Sequence, residues 1–192
     1  MRCGRWSTPW GGSSPGTPDP VRPGVRLGVD VGSVRVGLAV SDPRGVLATP
    51  LETVGRDSRT ESDLDRIADV VGEHAVLEVV VGLPATLAGR EGIAAKAVRS
   101  YASQIARRVH PVPVRAVDER LTTVAAHSRL AEAGRRGRER RQVVDQAAAV
   151  EILQGALDAE RSSGRPPGSL VLPGPLPEGP GQGEHSREAG PR

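Results

Sequence analysis

Phenylalanine is absent from this 192-residue chain, and aromatic residues make up only 2% of it. Trp6 and Trp10 lie in a turn-rich leader and Tyr101 stands alone on a predicted helix, which nearly excludes the base-stacking platforms used by many single-strand binders. The one cysteine, Cys3, rules out an internal disulfide and cysteine-rich zinc sites and fits a reducing cytoplasm. His74, His110, His127 and His185 are scattered without metal-ligand spacing. No apolar stretch approaches the roughly 20 residues that span a bilayer, and the leader has no apolar core of a signal peptide. These absences predict a soluble, cytoplasmic protein with no membrane partner.

Strong net charge is lacking too. The formal charge is +3, but the first 24 residues contribute Arg2, Arg5 and Arg22 against Asp19, and residues 162–192 balance three Arg with three Glu. The middle of the chain is therefore only +1, so any claim of nucleic-acid binding must rest on local clustering.

Much of the glycine and proline lies at the two ends, which predicts a disordered leader over 1–24 and a disordered tail over 174–192. Intact mass of the native protein tells whether the leader belongs to it or reflects a start codon read too far upstream. The remaining 25–173, about 150 residues, suit a single domain with one core. Within it, Val25–Val31 and Val36–Ser41 read as a β-hairpin around Gly32, and Val46–Val54 as a third strand. Glu61–Glu73 has helical spacing, with Ser58, Thr60 or Ser62 as N-cap. Val76–Val81 is a continuous apolar strand, Ile93–Val109 a helix and Val112–Val117 a fifth strand. Helices over Thr122–Ala133 and about Gln142–Arg161 follow. Three hairpin-linked strands, then alternating helices and strands, predict an α/β fold with a mixed five-stranded sheet flanked by helices.

Three acids stand where stability alone does not call for them. Asp30 interrupts the apolar run of the first strand, Glu119 ends the fifth, and Asp145 opens the last, Ala-rich helix on the face of Ala148, Ala149, Ile152 and Ala156. Buried carboxylates without a counter-charge cost several kcal/mol. If the fold brings them together at the carboxyl edge of the sheet, their mutual repulsion calls for a cation, and oxygen ligands select a hard one such as magnesium. That is the donor set of two-metal phosphodiester hydrolysis, which needs neither histidine nor cysteine. Each acid also has a plainer reading. Asp30 suits a turn cap, Glu119 an ion pair with Arg115 or Arg120, and Asp145 the positive end of its helix. Asp118 falls on the opposite strand face from Glu119.

Arginine clusters at Arg135, Arg136, Arg138, Arg140 and Arg141, five against Glu139 alone. A solvated loop would account for the run, but its position just before Asp145 suits a grip on phosphates, with Arg35 and Arg120 beside the other two acids.

Four segments in order, from Gly28-Val29-Asp30-Val31-Gly32 to Ser41-Asp42, then Val81-Gly82-Leu83-Pro84, Asp118-Glu119-Arg120-Leu121-Thr122-Thr123 and Val144-Asp145-Gln146-Ala147-Ala148-Ala149, resemble the YqgF family. The resemblance runs from about Val25 to Pro173. It implies a ribonuclease H-like fold, cytoplasmic trimming of the small-subunit ribosomal RNA precursor or resolution of Holliday junctions, and dependence on Mg2+ or Mn2+. It also implies Asp30, Glu119 and Asp145 as the metal-binding catalytic acids. Ala125 and Glu151 depart from the family pattern, which usually shows an acid and an apolar residue there. Structured RNA is the preferred partner and branched DNA the alternative, with monomer or homodimer left open.

Two other classes share features with this sequence. Actin-like and sugar-kinase ATPases share the Asp-x-Gly hairpin, but they enclose a nucleotide between two lobes, and one lobe of this size cannot. A non-catalytic nucleic-acid or transcription-machinery module would not need all three acids.

Overall fold

The computed structural model describes residues 22–84, 92–118 and 138–174, with the side chains of 138–144 excepted. Strands β1 (Arg26–Val31) and β2 (Arg35–Ser41) form an antiparallel hairpin in which Asp30 stands opposite Gly37. β3 (Ala48–Gly55) adds to β2, again antiparallel, with an irregularity at Leu38/Ala39. Helix α1 (Ser62–Glu73) leads to β4 (Glu78–Leu83), and α2 (Ile93–Arg108) to β5 (Val114–Asp118). β4 pairs in parallel with β1, and β5 in parallel with β4. Such parallel neighbours require crossovers, which the two helices supply.

The predicted α/β class with a mixed sheet flanked by helices holds, but the sheet has six strands in the order β3-β2-β1-β4-β5-β6. The extra strand, β6 (Ser169–Val171), pairs antiparallel with β5 after helix α3 (Arg138–Ser163). Three residues are too few to show a period, and Ser169 and Leu170 are exposed. Gly168, at φ 62°, makes the turn into β6, a conformation costly to residues with a Cβ.

Strand alternation divides the molecule into two apolar layers. Leu27, Val29, Val36, Leu38, Val79, Val81 and Val114 pack against α1 and α2, around Ile67, Val70, Tyr101 and Ile105. On the other face Ala39, Val80 and Val117 meet Ala149, Ile152, Leu153, Ala156 and Leu157 of α3. Leu153 and Leu157 are fully buried, and burial of each contributes about 2 kcal/mol.

Helix α1 is not capped as expected. Its N-cap is Glu61, in the left-handed region at φ 55° and without a side-chain cap bond. Asp57 collects the polar groups of the preceding turn instead, accepting from the amides of Arg59 and Thr60 and from the hydroxyls of Thr60 and Ser62. The helix predicted over Thr122–Ala133 lies outside the described residues.

Candidate active site

Glycine determines where α3 sits. A Cβ on Gly28 of β1 would lie 2.7 Å from the Leu153 Cβ, and one on Gly82 of β4 would lie 2.4 Å from Ile152 Cδ1. At Gly37 of β2 the clash would be with backbone, 2.1 Å from the Asp145 carbonyl oxygen. The helix thus rests directly on three neighbouring strands, and only missing side chains let it approach so closely.

This contact brings two of the predicted acids together. Gly37 is the cross-strand partner of Asp30, and paired Cα atoms in an antiparallel ladder are about 4.5–5.5 Å apart. Asp145 therefore sits over the strand pair that carries Asp30. Asp30 follows Arg26 and Gly28 on the α3 face of β1, since Leu27 and Val29 face the other layer. Both acids are half-buried.

Arg35 joins them. It shares the α3 face of β2 with Gly37 and Ala39, and its Nη1 lies 3.8 Å from Asp145 Oδ2. That oxygen is shielded from solvent. The hairpin carrying Arg35 is closed by the Gly32 amide donating to the Arg35 carbonyl at 2.9 Å. Arg56 braces the same turn. Its amide donates to the Val34 carbonyl and its Nη1 to that of Gly32, while its guanidinium stacks 4.1 Å from the Tyr101 ring centroid. Tyr101 in turn donates to buried Asp63 at 2.7 Å, and burial, more than this bond, pushes the phenol well above its ordinary pKa. Sequence reasoning missed Arg56 and Asp63, because their links to Gly32 and Tyr101 run 24 to 45 positions along the chain.

Asp145 does not open its helix as predicted. α3 begins at Arg138, so Asp145 lies two turns in, where a capping or dipole role fades. Arg138, Arg140 and Arg141 are accordingly helical in backbone rather than part of a loop. Glu119, Arg120, Arg135 and Arg136 lie outside the described residues. β4 intervenes between β1, which carries Asp30, and β5, a separation of about 10 Å. Arg115, offered as a partner for Glu119, is engaged at 2.6 Å with Glu78. Asp42 closes the β2–β3 turn by accepting from the amides of Arg44, Val46 and Leu47, and those bonds, led by Leu47's, lower its pKa.

At the other end of α3 a second charged group has a structural role. Buried Arg26, Glu78 and Glu160 are joined by Arg22 and Arg115 through bonds of 2.6–3.2 Å. Burial pushes the Glu160 carboxyl up, but the hydrogen bond from Arg22 and the charge of Arg26 outweigh it and hold the group below the usual range. These ion pairs tie the helix end to β1 and β4.

Asp30 and Asp145 offer hard oxygen donors, among them the shielded Asp145 Oδ2, a chemistry that fits a divalent cation. Among the described residues no group of three His, Cys, Asp or Glu assembles a complete ligand set.

The family model described as "RuvX: Holliday junction resolvase" matches residues 24–159. The chain belongs to the RuvX family. This is the YqgF family that the four sequence segments resemble, and it makes the protein a nuclease, a hydrolase of phosphodiester bonds acting on nucleic acid. RuvX-like relatives named "Putative pre-16S rRNA nuclease" include one from Frankia casuarinae, 59% identical and covering 74% of this chain and 70% of that one. Another, from Nocardioides sp., is 56% identical over 79% of this chain and 98% of its own. A solved structure, "T. thermophilus RuvC in complex with Holliday junction substrate", is similar with a TM-score of 0.48 at 19% identity, over 72% of this chain and 96% of that one. No helix among the described residues of this RuvX protein is long and apolar enough to cross a membrane.

Proposed function

We propose that this RuvX protein cleaves structured RNA in the cytoplasm, processing the 5′ end of the 16S ribosomal RNA precursor, through a nuclease domain spanning 25–173. One observation carries the site: the Asp145 backbone lies against Gly37, the strand partner of Asp30. Asp30 and Asp145 would hold Mg2+ or Mn2+. Glu119 is the third ligand in this reading, as the resemblance of Asp118-Glu119-Arg120-Leu121-Thr122-Thr123 to the YqgF family implies. A divalent pair bound there supplies activation of the attacking water and stabilisation of the leaving oxygen. The chain's own part is to fix the carboxylates, exclude bulk water beneath α3 and present arginines to phosphate.

The RNA substrate is supported by relatives at 52–59% identity that carry the precursor-rRNA name. Arg138, Arg140 and Arg141 fall at the start of α3, where the helix dipole disfavours cations. Their presence there supports a phosphate-binding role, shared with Arg120, Arg135 and Arg136. The family description favours a second substrate, the four-way DNA junction, whose symmetric cutting would need a dimer.

The test compares manganese-dependent cleavage of precursor 16S rRNA and of a synthetic junction by wild type, Asp30→Asn and Asp145→Asn. Each substitution should lower RNA cleavage about a hundredfold or more, since a catalytic metal supplies several kcal/mol. Wild-type cleavage of the junction alone would overturn the RNA reading. Binding without cleavage under any condition would overturn the catalytic one.

A further inference from the structure

Arg35 stands in an unusual relation to the acid pair. It is on the same face as Asp30 and Gly37, diagonal to Asp30 across the hairpin, a spacing that long side chains span. It meets Asp145 at 3.8 Å, an ion-pair separation longer than a charge-assisted hydrogen bond. The guanidinium is thus a positive charge close to the place where a divalent cation would compensate the carboxylates. A cation bound to Asp145 would face that guanidinium at close range, and the two like charges would repel. The Arg35 side chain is itself 24% exposed, so it has solvent close by to swing into. A planar guanidinium fork matches a phosphate better than it matches one oxygen of a carboxylate held out of hydrogen-bond range.

We propose that Arg35 and the divalent cation compete for Asp30 and Asp145. Arg35 neutralises the acids in the metal-free protein and turns to a backbone phosphate of the nucleic acid when the cation binds. The inference rests on the acid pair being the cation site, as set out under Proposed function. It adds a coupling between metal loading and substrate grip: metal binding frees the arginine, and a phosphate that engages the arginine in turn favours metal binding.

The test is Mn2+ binding by isothermal titration calorimetry to the full chain without nucleic acid, together with binding of a labelled RNA hairpin in calcium across a salt series. Arg35→Gln should bind Mn2+ about fivefold or more tighter than wild type. Its RNA affinity should fall, and the slope of log affinity against log salt should lessen by about one. Arg35→Lys, which keeps the charge, should stay close to wild type in Mn2+ affinity and guards against misreading a folding defect. Equal or weaker Mn2+ binding by Arg35→Gln overturns the competition. Loss of Mn2+ binding in Asp145→Asn is the control: if wild type and Asp145→Asn bind Mn2+ alike, the site itself is misplaced and both proposals fall.

Discussion

Replacing Gly37 with alanine tests the seating of α3 most sharply. The added methyl would lie 2.1 Å from the Asp145 carbonyl oxygen and 2.6 Å from its carbon, whereas real Cβ contacts essentially never come under 3.0 Å. Because the obstacle is backbone, the first half of α3 must retreat by roughly 0.9 Å. Overpacking of this kind costs about 1–3 kcal/mol, which leaves a domain of ordinary stability folded. The displaced residue is the one that carries the carboxylate, and a misplacement of about 1 Å can cost a hundredfold in rate. Gly55→Ala is the control, since nothing lies within 4 Å of its added methyl. Urea denaturation and initial rates of RNA cleavage should show Gly55→Ala within about 0.5 kcal/mol of wild type and fully active. Gly37→Ala should lose about 1–3 kcal/mol and most of its cleavage while still folded. Wild-type stability and rate in Gly37→Ala would refute the contact and the placement of Asp145 that depends on it.

Tyr101→Phe removes the 2.7 Å bond to buried Asp63 and should destabilise the protein by about 1–3 kcal/mol in denaturant titration. Glu160→Gln leaves the buried guanidinium of Arg26 with a neutral partner and should cost about 3–5 kcal/mol. Because the Glu160 pKa is lowered in the folded state, its contribution is complete above the unfolded value of about 4.3 and is lost as pH falls below it. Wild-type stability measured from pH 6 down to pH 3 should therefore fall more steeply than that of Glu160→Gln. A parallel pair of curves would contradict the assignment.

The sheet was legible because its strands are β-branched runs bounded by glycine and polar turns. The α3 packing face was legible because Ala149, Ile152 and Ala156 recur at helical spacing and are all buried. Asp30 and Asp145 could be singled out as acids in apolar settings. The sequence could not show that Gly37 is the hinge of their meeting, since a glycine in a strand has no pattern that reveals what approaches it. The start of α3 was placed late because its first turn is rich in arginine, which hides an apolar period. The order of β1, β4 and β5 could not be read from the sequence, because strand adjacency is settled by crossovers and not by local sequence. The buried network of Arg26, Glu78 and Glu160 was invisible for the same reason: its members are 52 to 134 positions apart.

The central claim is that Asp30 and Asp145 jointly hold the divalent cation. It is tested most directly by growing crystals in Mn2+ and measuring anomalous scattering at the manganese edge. The account predicts a peak about 2.1 Å from a carboxylate oxygen of each residue, with Arg35 turned away from Asp145. Ordered Asp30 and Asp145 side chains with no manganese peak between them, or a peak bound elsewhere, would contradict it.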